Sequence, residues 1–273
     1  MDMIHTRTGN VAYESYGQGL PLILLHANPG DHRDYEAVIP ALAQNYQVIA
    51  VDWPGYGESP APQPPGSASA MLFAAVLEDV MNGLGLDRVA LIGNSVGGYA
   101  AARFAITHPS QVEALVLVSS GGFTAHSMVS RIFSRLKGTE FLTRLIATRF
   151  AQAYLKKRNR YTTDILARTD AGRHNPASVA VDAAVWRSFI NPDHDLRARA
   201  QAIIAPTLVL SGKYDPVIKP DADGKTTADS IPGARQVIME TGHEPFAEDS
   251  DAFLKVVVPF LQEVTEQYVP SHV

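Results

Sequence analysis

A serine lies between two glycines near the middle of the chain, in the sequence Gly-Asn-Ser-Val-Gly of residues 93–97. A short apolar run at residues 89–92 comes before it, and a segment rich in helix formers follows it. This pattern is typical of a strained strand-to-helix turn that lifts a serine hydroxyl above a sheet. Glycines are needed there because a Cβ atom would strike the neighbouring backbone. Ser95 is therefore our candidate nucleophile. The alternative is an ordinary turn in which Ser95 caps the helix.

A serine hydroxyl is a poor nucleophile at neutral pH, so it needs a base to take its proton and a third group to orient that base. His243 follows the last apolar run in a glycine-containing loop, and Asp215 follows the apolar run before it. The three residues thus occur in the order Ser, Asp, His, each at the carboxyl end of a predicted strand. Ligands of a parallel sheet bind at that edge, so we expect the three side chains to meet there. Asp52 also ends an apolar run and is a less favoured candidate for the acid.

The elements that position these residues are predicted from apolar runs and helical periodicity. Strands are predicted at residues 11–16, 21–26, 47–52, 89–92, 114–119, 207–211 and 236–239. Helices are predicted at residues 35–44, at 69–84, directly after Ser95, and at 251–267, and residues 221–229 are predicted to form a polar loop. The alternation of strand and helix predicts an α/β fold, with a mostly parallel sheet and helices on both faces.

Residues 121–205 interrupt this alternation, because they contain helical stretches such as 129–136 and 140–154 and no convincing strand. The segment is too long for a simple loop. We therefore predict a core domain formed by residues 1–120 and 206–273, and a helical insertion formed by residues 121–205. The insertion holds 14 of the 23 Lys and Arg residues but only six acidic residues. This charge either solvates an exposed helix face or draws an anionic substrate towards the site.

Composition limits the partners and cofactors. The net charge of −5 gives no reason to expect nucleic acid, and no apolar run is long enough to span a bilayer. There is no cysteine and no apolar leader, so we expect a cytoplasmic protein that is a monomer or a homodimer, with no membrane partner. No glycine-rich nucleotide motif follows a strand, so no cofactor is expected. The remaining histidines are scattered without the spacing of a metal site, so no metal is expected.

Together these motifs give the chain its resemblance to the α/β-hydrolase superfamily. It resembles the small capped members, which include esterases, meta-cleavage-product hydrolases, epoxide hydrolases and haloalkane dehalogenases. Four motifs carry the resemblance, at residues 26–30, 52–59, 93–98 and 242–245. It covers nearly the whole chain outside the insertion. It implies an α/β-hydrolase fold in which the insertion forms a cap over the active site.

The resemblance also implies further site residues. The backbone N–H groups of Asn28 and Val96 would form the oxyanion hole, although Ala27 stands where relatives usually have glycine. His26 would brace this loop by hydrogen bonding, and we include it with Trp186 as a predicted substrate contact. Packing within the insertion is the alternative for Trp186. The Asn28 side chain is a further possible substrate contact. Two carboxylates near His243, those of Glu244 and Glu248, are expected to be solvated at the surface.

The identity of the nucleophile separates the relatives. Epoxide hydrolases and haloalkane dehalogenases use an aspartate where this chain has Ser95, and a serine forms an acyl enzyme. The resemblance therefore implies a serine hydrolase that cleaves a small carboxylic ester, a lactone or a related carbonyl compound. One alternative is a carbon–carbon bond hydrolase of the meta-cleavage-product type. Another, from a different class, is a non-enzymatic ligand sensor on a hydrolase fold.

Overall fold

The computed structural model describes residues 1–265. Their eight strands are β1 (Asp2–Thr6), β2 (Gly9–Tyr16), β3 (Leu20–Leu25), β4 (Tyr46–Val51), β5 (Val89–Asn94), β6 (Val112–Val118), β7 (Thr207–Gly212) and β8 (Arg235–Met239). They form one sheet in the order β1-β2-β4-β3-β5-β6-β7-β8. Strand β2 pairs antiparallel with β1 and with β4, and all other pairs are parallel. This mostly parallel sheet confirms the predicted fold class.

Helices cover both faces of the sheet. They are α1 (Ile39–Leu42), α2 (Ala70–Gly83), α3 (Val96–Thr107), α4 (Met128–Lys137), α5 (Glu140–Tyr154), α6 (Arg160–Gly172), α7 (Pro176–Ser188), α8 (Lys225–Ser230), α9 (Pro245–Glu248) and α10 (Ser250–Thr265). Helices α2 and α3 bury their apolar sides in one core cluster, and α1 and α10 bury theirs in a second cluster. None of the helices within residues 1–265 has the length and apolar character needed to cross a membrane.

The central strands are buried on both faces, as their apolar sequences predict. All six residues of β5 are buried, and so are all six of β7. Such strands occur where helices cover both sides of a parallel sheet. Their carboxyl ends therefore open onto one edge of the sheet, which is where Ser95 follows β5 directly.

Four helices, α4 to α7, lie between β6 and β7, where the sequence predicted a helical insertion. Each begins at a residue whose side chain accepts a hydrogen bond from a backbone N–H of the first turn, and these residues are Ser127, Thr139, Asn159 and Asn175. Such caps satisfy donors that have no partner within the helix. Two of the helices match the stretches predicted at 129–136 and 140–154. The division into a core and an insertion at 121–205 stays a prediction.

Three local predictions differ from the structure. Strand β1 was not predicted, because only two of its five residues are buried and its apolar pattern is weak. The helix predicted at 35–44 is instead a 3-10 turn at His32–Tyr35 followed by the short α1. The loop predicted at 221–229 is wrong, because Pro220–Gly224 and α8 are helical. The helices were missed because most side chains there are polar, so the sequence has no apolar periodicity. Some of these side chains bond to the helix backbone, as the Ser230 hydroxyl does to the backbone oxygen of Thr226. Residues 266–267 of the predicted last helix lie outside the described residues.

Candidate active site

Ser95 occupies the sharp turn between β5 and α3, with a φ of 55° and a ψ of −112°. A residue other than glycine rarely adopts this conformation, so the turn is strained. A Cβ atom at Gly93 would strike the backbone of Gly97, and one at Gly97 would strike the backbone oxygen of Leu25. Both glycines are therefore required, as predicted, because neighbouring backbone atoms lie too close to each of them to leave room for a side chain. The turn places Ser95 at the edge of the sheet, where it lines a cavity.

His243 and Asp215 lie at the same edge and are hydrogen-bonded to each other. The Nδ1 atom of His243 lies 2.6 Å from Oδ2 of Asp215. The other oxygen of Asp215 accepts hydrogen bonds from the N–H groups of Val217 and Ile218, at 2.7 Å and 3.1 Å. Burial by itself would raise the pKa of Asp215, but His243 and these donors outweigh it and lower the pKa. Asp215 is thus held as a carboxylate that orients the imidazole.

The loop that carries His243 is fixed by two side chains whose positions the sequence did not predict. Asn94, the last residue of β5, donates hydrogen bonds to the backbone oxygens of Val118 and His243, at 3.0 Å and 3.1 Å. Glu248 accepts hydrogen bonds from the backbone N–H groups of Gly242 and Glu244. The only sequence signal for Asn94 was its place beside the candidate nucleophile. Asn94 therefore joins the end of the Ser95 strand to the His243 loop.

The predicted exposure of Glu244 and Glu248 is wrong, because both carboxyl groups are buried. Glu248 is 3% exposed and also accepts bonds from the backbone N–H groups of Lys156 and Lys157, which follow α5. Neither carboxyl oxygen of Glu244 has a hydrogen-bond partner within residues 1–265. Burial, followed by the charges of Asp34 and Glu248, raises the pKa of Glu244 well above its usual value. Burial of Glu248 could not be inferred from residue type, since its partners are backbone N–H groups, two of which lie 92 and 91 residues away in the sequence.

The loop after β3 places Asn28 beside the candidate nucleophile. Asn28 and Val96 are both buried and line the cavity that contains Ser95. In the described chain, the backbone N–H of neither residue has a hydrogen-bond partner within the protein. The Asn28 side chain is already engaged, because it donates to Asp182 at 3.1 Å and accepts from the hydroxyl of Tyr56. These contacts fix the loop and leave the two N–H groups available.

The expected substrate contact of His26 is not seen. His26 is fully buried and is absent from the cavity lining. Its Nε2 accepts a hydrogen bond from the N–H of Trp53 at 2.9 Å, so Nδ1 carries the proton and donates to the oxygen of Ala27 at 2.7 Å. Burial lowers the pKa of His26 and favours this neutral form. His26 therefore braces the loop that carries Asn28, which is the other role that the sequence suggested.

Ser95 and His243 share a cavity of about 550 Å³ between the sheet edge and helices of residues 121–205. Trp186 of α7, the other predicted substrate contact, lines this cavity together with Phe150 of α5. The lining is mostly apolar. In the described part of the chain, Lys219 is the only Lys or Arg residue that lines this cavity. The site can therefore hold a small, largely apolar molecule against the serine hydroxyl.

Asp52, the less favoured candidate for the acid, is used elsewhere. Its carboxylate accepts hydrogen bonds from the N–H of His32 at 2.7 Å and from the N–H of Glu58 at 2.9 Å, and it lies 2.8 Å from Nδ1 of His32. Ligand atoms of Asp31, His32 and Asp52 lie within 4.8 Å of one another. Although burial opposes it, contact with Asp52 raises the pKa of His32, which favours an imidazolium paired with the carboxylate. This cluster fits an internal ion pair better than a metal site.

Many cations of the basic segment are paired with acids. Arg168 contacts Asp31 at 3.1 Å and Asp34 at 2.6 Å, so it joins α6 to the chain around the 3-10 turn. Lys137 is buried and lies 3.0 Å from Asp182. Arg168 and Asp182 both line a second cavity, of about 600 Å³, which does not include Ser95. Part of the basic charge of the segment is therefore used in ion pairs rather than directed at the Ser95 cavity.

Comparison with known proteins identifies the family. A family model described as the alpha/beta hydrolase fold matches residues 21–250. A 2-hydroxy-6-oxononadienedioate/2-hydroxy-6-oxononatrienedioate hydrolase of Cupriavidus pinatubonensis is 32% identical over 82% of this chain and 79% of its own. A pimeloyl-[acyl-carrier protein] methyl ester esterase of Legionella pneumophila is 26% identical over 93% of this chain and 100% of its own. A thermophilic esterase of Thermogutta terrifontis superposes with a TM-score of 0.82, at 26% identity over 96% of this chain and 98% of its own.

The chain thus belongs to the α/β-hydrolase family, as its motifs suggested. Its sheet, its strained turn at Ser95 and these relatives together define a hydrolase of the α/β fold.

Proposed function

We propose that this protein is a serine hydrolase that cleaves a small carboxylic ester, a lactone or a related carbonyl substrate through an acyl enzyme. One observation carries the proposal. His243 is hydrogen-bonded to Asp215 at 2.6 Å and lines the same cavity as Ser95, which lies at a strained strand-to-helix turn. An esterase among the relatives supports a carboxylesterase-like activity.

In this mechanism the hydroxyl oxygen of Ser95 attacks the carbonyl carbon while Nε2 of His243 takes the hydroxyl proton. Asp215 orients the imidazole and stabilises the imidazolium that forms. The tetrahedral intermediate collapses, the imidazolium gives its proton to the leaving alcohol, and an acyl group remains on Ser95. A water molecule then attacks this ester, again with His243 as base, and releases the acid and the free serine.

The backbone N–H groups of Asn28 and Val96 are the proposed donors to the oxyanion. Val96 begins α3, so its N–H lies at the positive end of a helix dipole. Asn28 is held by its side-chain contacts with Asp182 and Tyr56. Loss of one such donor typically raises the barrier by about 3 kcal/mol.

Carbon–carbon bond hydrolysis is the second candidate, because the 32% identical relative is named for a substrate that contains a keto group. The same serine, histidine and aspartate would serve that reaction. A comparison of turnover rates separates the two candidates. An ester hydrolase cleaves p-nitrophenyl acetate faster than a ring-cleavage dienoate, and a carbon–carbon hydrolase shows the reverse order.

The proposed partner is a small molecule, and the exposed Lys219 at the cavity is placed to meet an anionic group. We propose no nucleic-acid or membrane partner and a monomer or homodimer. Because the chain has no cysteine, it needs no oxidising compartment, which supports a cytoplasmic location.

The decisive test uses a fluorophosphonate label and p-nitrophenyl acetate with the Ser95→Ala variant. We expect the variant to lose both labelling and turnover. Ser130→Ala is the matched control, because Ser130 lines the same cavity but its hydroxyl donates to the backbone oxygen of Ser127. Unchanged turnover in Ser95→Ala would refute the proposal. Tight ligand binding by the wild type without any turnover would favour a ligand sensor instead.

A further inference from the structure

One wall of the Ser95 cavity carries polar atoms that the protein leaves unpaired. Four residues form this polar wall: Thr124, His126, Trp186 and His194, all of which line the cavity. Both ring nitrogens of His194, Nδ1 of His126, Oγ1 of Thr124 and Nε1 of Trp186 have no hydrogen-bond partner within residues 1–265. His194 is 4% exposed, so its unpaired atoms are shielded from bulk solvent.

Unpaired polar atoms are costly inside a protein, because each has given up its hydrogen bonds to water without a replacement. Native structures pair the large majority of such atoms, so a group of five on one surface needs an explanation. A substrate with its own hydrogen-bonding group would pair them when it binds. Because the rest of the cavity is mostly apolar, this wall is where such a group would be recognised.

The His194 ring of the polar wall is held by aromatic contacts. The His194 ring stacks on Tyr99 of α3, with a centroid separation of 4.5 Å and an angle of 17°. It also lies 5.0 Å from the Phe189 ring and 6.1 Å from the His126 ring. A fixed donor and acceptor geometry selects a ligand more sharply than a mobile one does.

The polar wall also lies next to the candidate nucleophile. A Cβ atom built on Gly121 would lie 3.3 Å from the backbone oxygen of Ser95 and 3.5 Å from Nε2 of His194. Gly121 therefore lies between the backbone of Ser95 and the His194 ring. A polar group a few bonds from the scissile carbonyl could reach His194 while the carbonyl carbon lies against Ser95.

The charge of the polar wall restricts what it can bind. Burial, and then the neighbouring His126, lowers the pKa of His194 to about 3. Burial, followed by the charge of Arg131, lowers the pKa of His126 as well, with Asp195 as the nearby acid that opposes this. Both imidazoles are therefore neutral near pH 7. At His126 only Nδ1 is unpaired, whereas the His194 ring can donate one hydrogen bond and accept one. The threonine hydroxyl can do the same, so the wall suits an uncharged group that is both donor and acceptor.

We propose that the polar wall is a specificity subsite for a substrate hydroxyl group, so that this hydrolase prefers hydroxylated esters or lactones over their apolar counterparts. The inference rests on the serine hydrolase function proposed above. His194 and Thr124 pair with the hydroxyl while Ser95 attacks the carbonyl carbon, and an ester with a methyl group at that place leaves them unpaired.

The test compares two pairs of esters that differ by one methyl group exchanged for a hydroxyl. Ethyl 3-hydroxybutanoate against ethyl 3-methylbutanoate probes the acyl side, and 2-hydroxyethyl butanoate against propyl butanoate probes the alcohol side. Acid release in a weakly buffered indicator assay gives kcat/KM for each ester. We expect the wild type to prefer the hydroxyl member of at least one pair by tenfold or more.

His194→Phe keeps the ring that stacks on Tyr99 and removes both nitrogens, and we expect the hydroxyl preference to fall at least tenfold. Thr124→Val, a smaller change, covers the case in which His194→Phe does not fold, and we expect it to lower the preference severalfold. His174→Phe is the matched control, because His174 is exposed and does not line the cavity. It should leave the preference unchanged.

The possible failures are distinguishable. If the wild type takes no fluorophosphonate label and cleaves none of the four esters, the proposed function is wrong and the subsite falls with it. If the wild type cleaves the esters without a hydroxyl preference, the subsite is wrong and the hydrolase assignment stands. The subsite is also wrong if the preference persists in both Thr124→Val and folded His194→Phe.

Discussion

The side-chain amide of Asn28, on the loop after β3, donates a hydrogen bond of 3.1 Å to Oδ1 of Asp182 in α7. The other oxygen of Asp182 lies 3.0 Å from Nζ of Lys137, at the end of α4. The Lys137 ammonium also faces the rings of Phe150 and Trp186, at 5.9 Å and 5.4 Å from their centroids. A buried ion pair of the α4–α7 segment thus holds the loop that presents the proposed oxyanion donor.

The first prediction concerns this ion pair. Asp182→Ala leaves the buried Lys137 without its counter-ion, so we expect the free energy of unfolding to fall by about 3–5 kcal/mol. The double variant Lys137→Met with Asp182→Leu removes both charges, and we expect most of the stability to return, because apolar residues often replace a buried pair without loss. Urea denaturation of the two variants and the wild type measures this.

The same two variants test the effect on the Asn28 loop. Both lose the acceptor for the Asn28 amide, so we expect kcat to fall in the stable double variant as well, by about tenfold. A double variant with the stability and the kcat of the wild type would show that Asp182 does not position the loop.

The second prediction concerns Asp215. In Asp215→Asn the amide can present its NH₂ group to Nδ1 of His243, which favours the tautomer that cannot take the serine proton. We expect kcat for p-nitrophenyl acetate to fall about 10⁴-fold, as in the trypsin-type serine proteases. Asp52→Asn is the comparison, because Asp52 pairs with His32 and not with His243. An equal loss of kcat in folded Asp52→Asn would contradict the assignment of Asp215.

The seven strands from β2 to β8, and the places of Ser95, Asp215 and His243 after the ends of three of them, could be predicted from the sequence, whereas the order of the strands in the sheet was not predicted. These features leave local signals, since a buried parallel strand is a continuous apolar run and a tight turn needs glycine. The folded chain brings His243 and Asp215 into contact across 28 residues because β7 and β8 are neighbours in the sheet.

What could not be predicted depends on partners distant in the sequence. The bond between Asn28 and Asp182 spans 154 residues, and no local pattern marks either residue as a member of a pair. Glu248 is a charged residue of a type that usually lies at the surface. Its buried carboxylate nevertheless accepts hydrogen bonds from the backbone N–H of Gly242 and from that of Lys156, which is 92 residues away. His26 is an example from the loop itself, because its bracing role was predicted but its partner, the backbone N–H of Trp53, was not.

The third prediction concerns Glu248, whose carboxylate holds the His243 loop through the N–H groups of Gly242 and Glu244. Glu248→Ala leaves these buried donors unpaired, and we expect a loss of about 2–4 kcal/mol in stability together with a lower kcat. Glu248→Gln keeps one acceptor oxygen and should be intermediate in both respects. Exposed Glu58→Ala is the control for a general effect of charge removal. If Glu248→Ala were as stable and active as Glu58→Ala, the loop would not depend on this carboxylate.

The fourth prediction is a dependence of stability on pH that comes from His194. Burial lowers its pKa in the folded protein to about 3, whereas an unfolded chain takes up the proton near 6.5. Between these values the unfolded state binds more protons, so His194 contributes stability above pH 6.5 that is lost progressively as the pH falls towards 3. The loss amounts to about 1 kcal/mol per pH unit.

Phenylalanine does not titrate, so the stability of His194→Phe should fall less steeply than that of the wild type when the pH is lowered from 6.5 to 4. Urea unfolding at half-unit pH steps measures the difference between the two profiles. His174→Phe also removes one histidine, but from an exposed site, and its profile should run parallel to that of the wild type. Parallel profiles for His194→Phe and the wild type would mean that the His194 imidazole takes a proton in the folded state. Its ring could then carry a positive charge, and the polar wall would suit a carboxylate better than a hydroxyl.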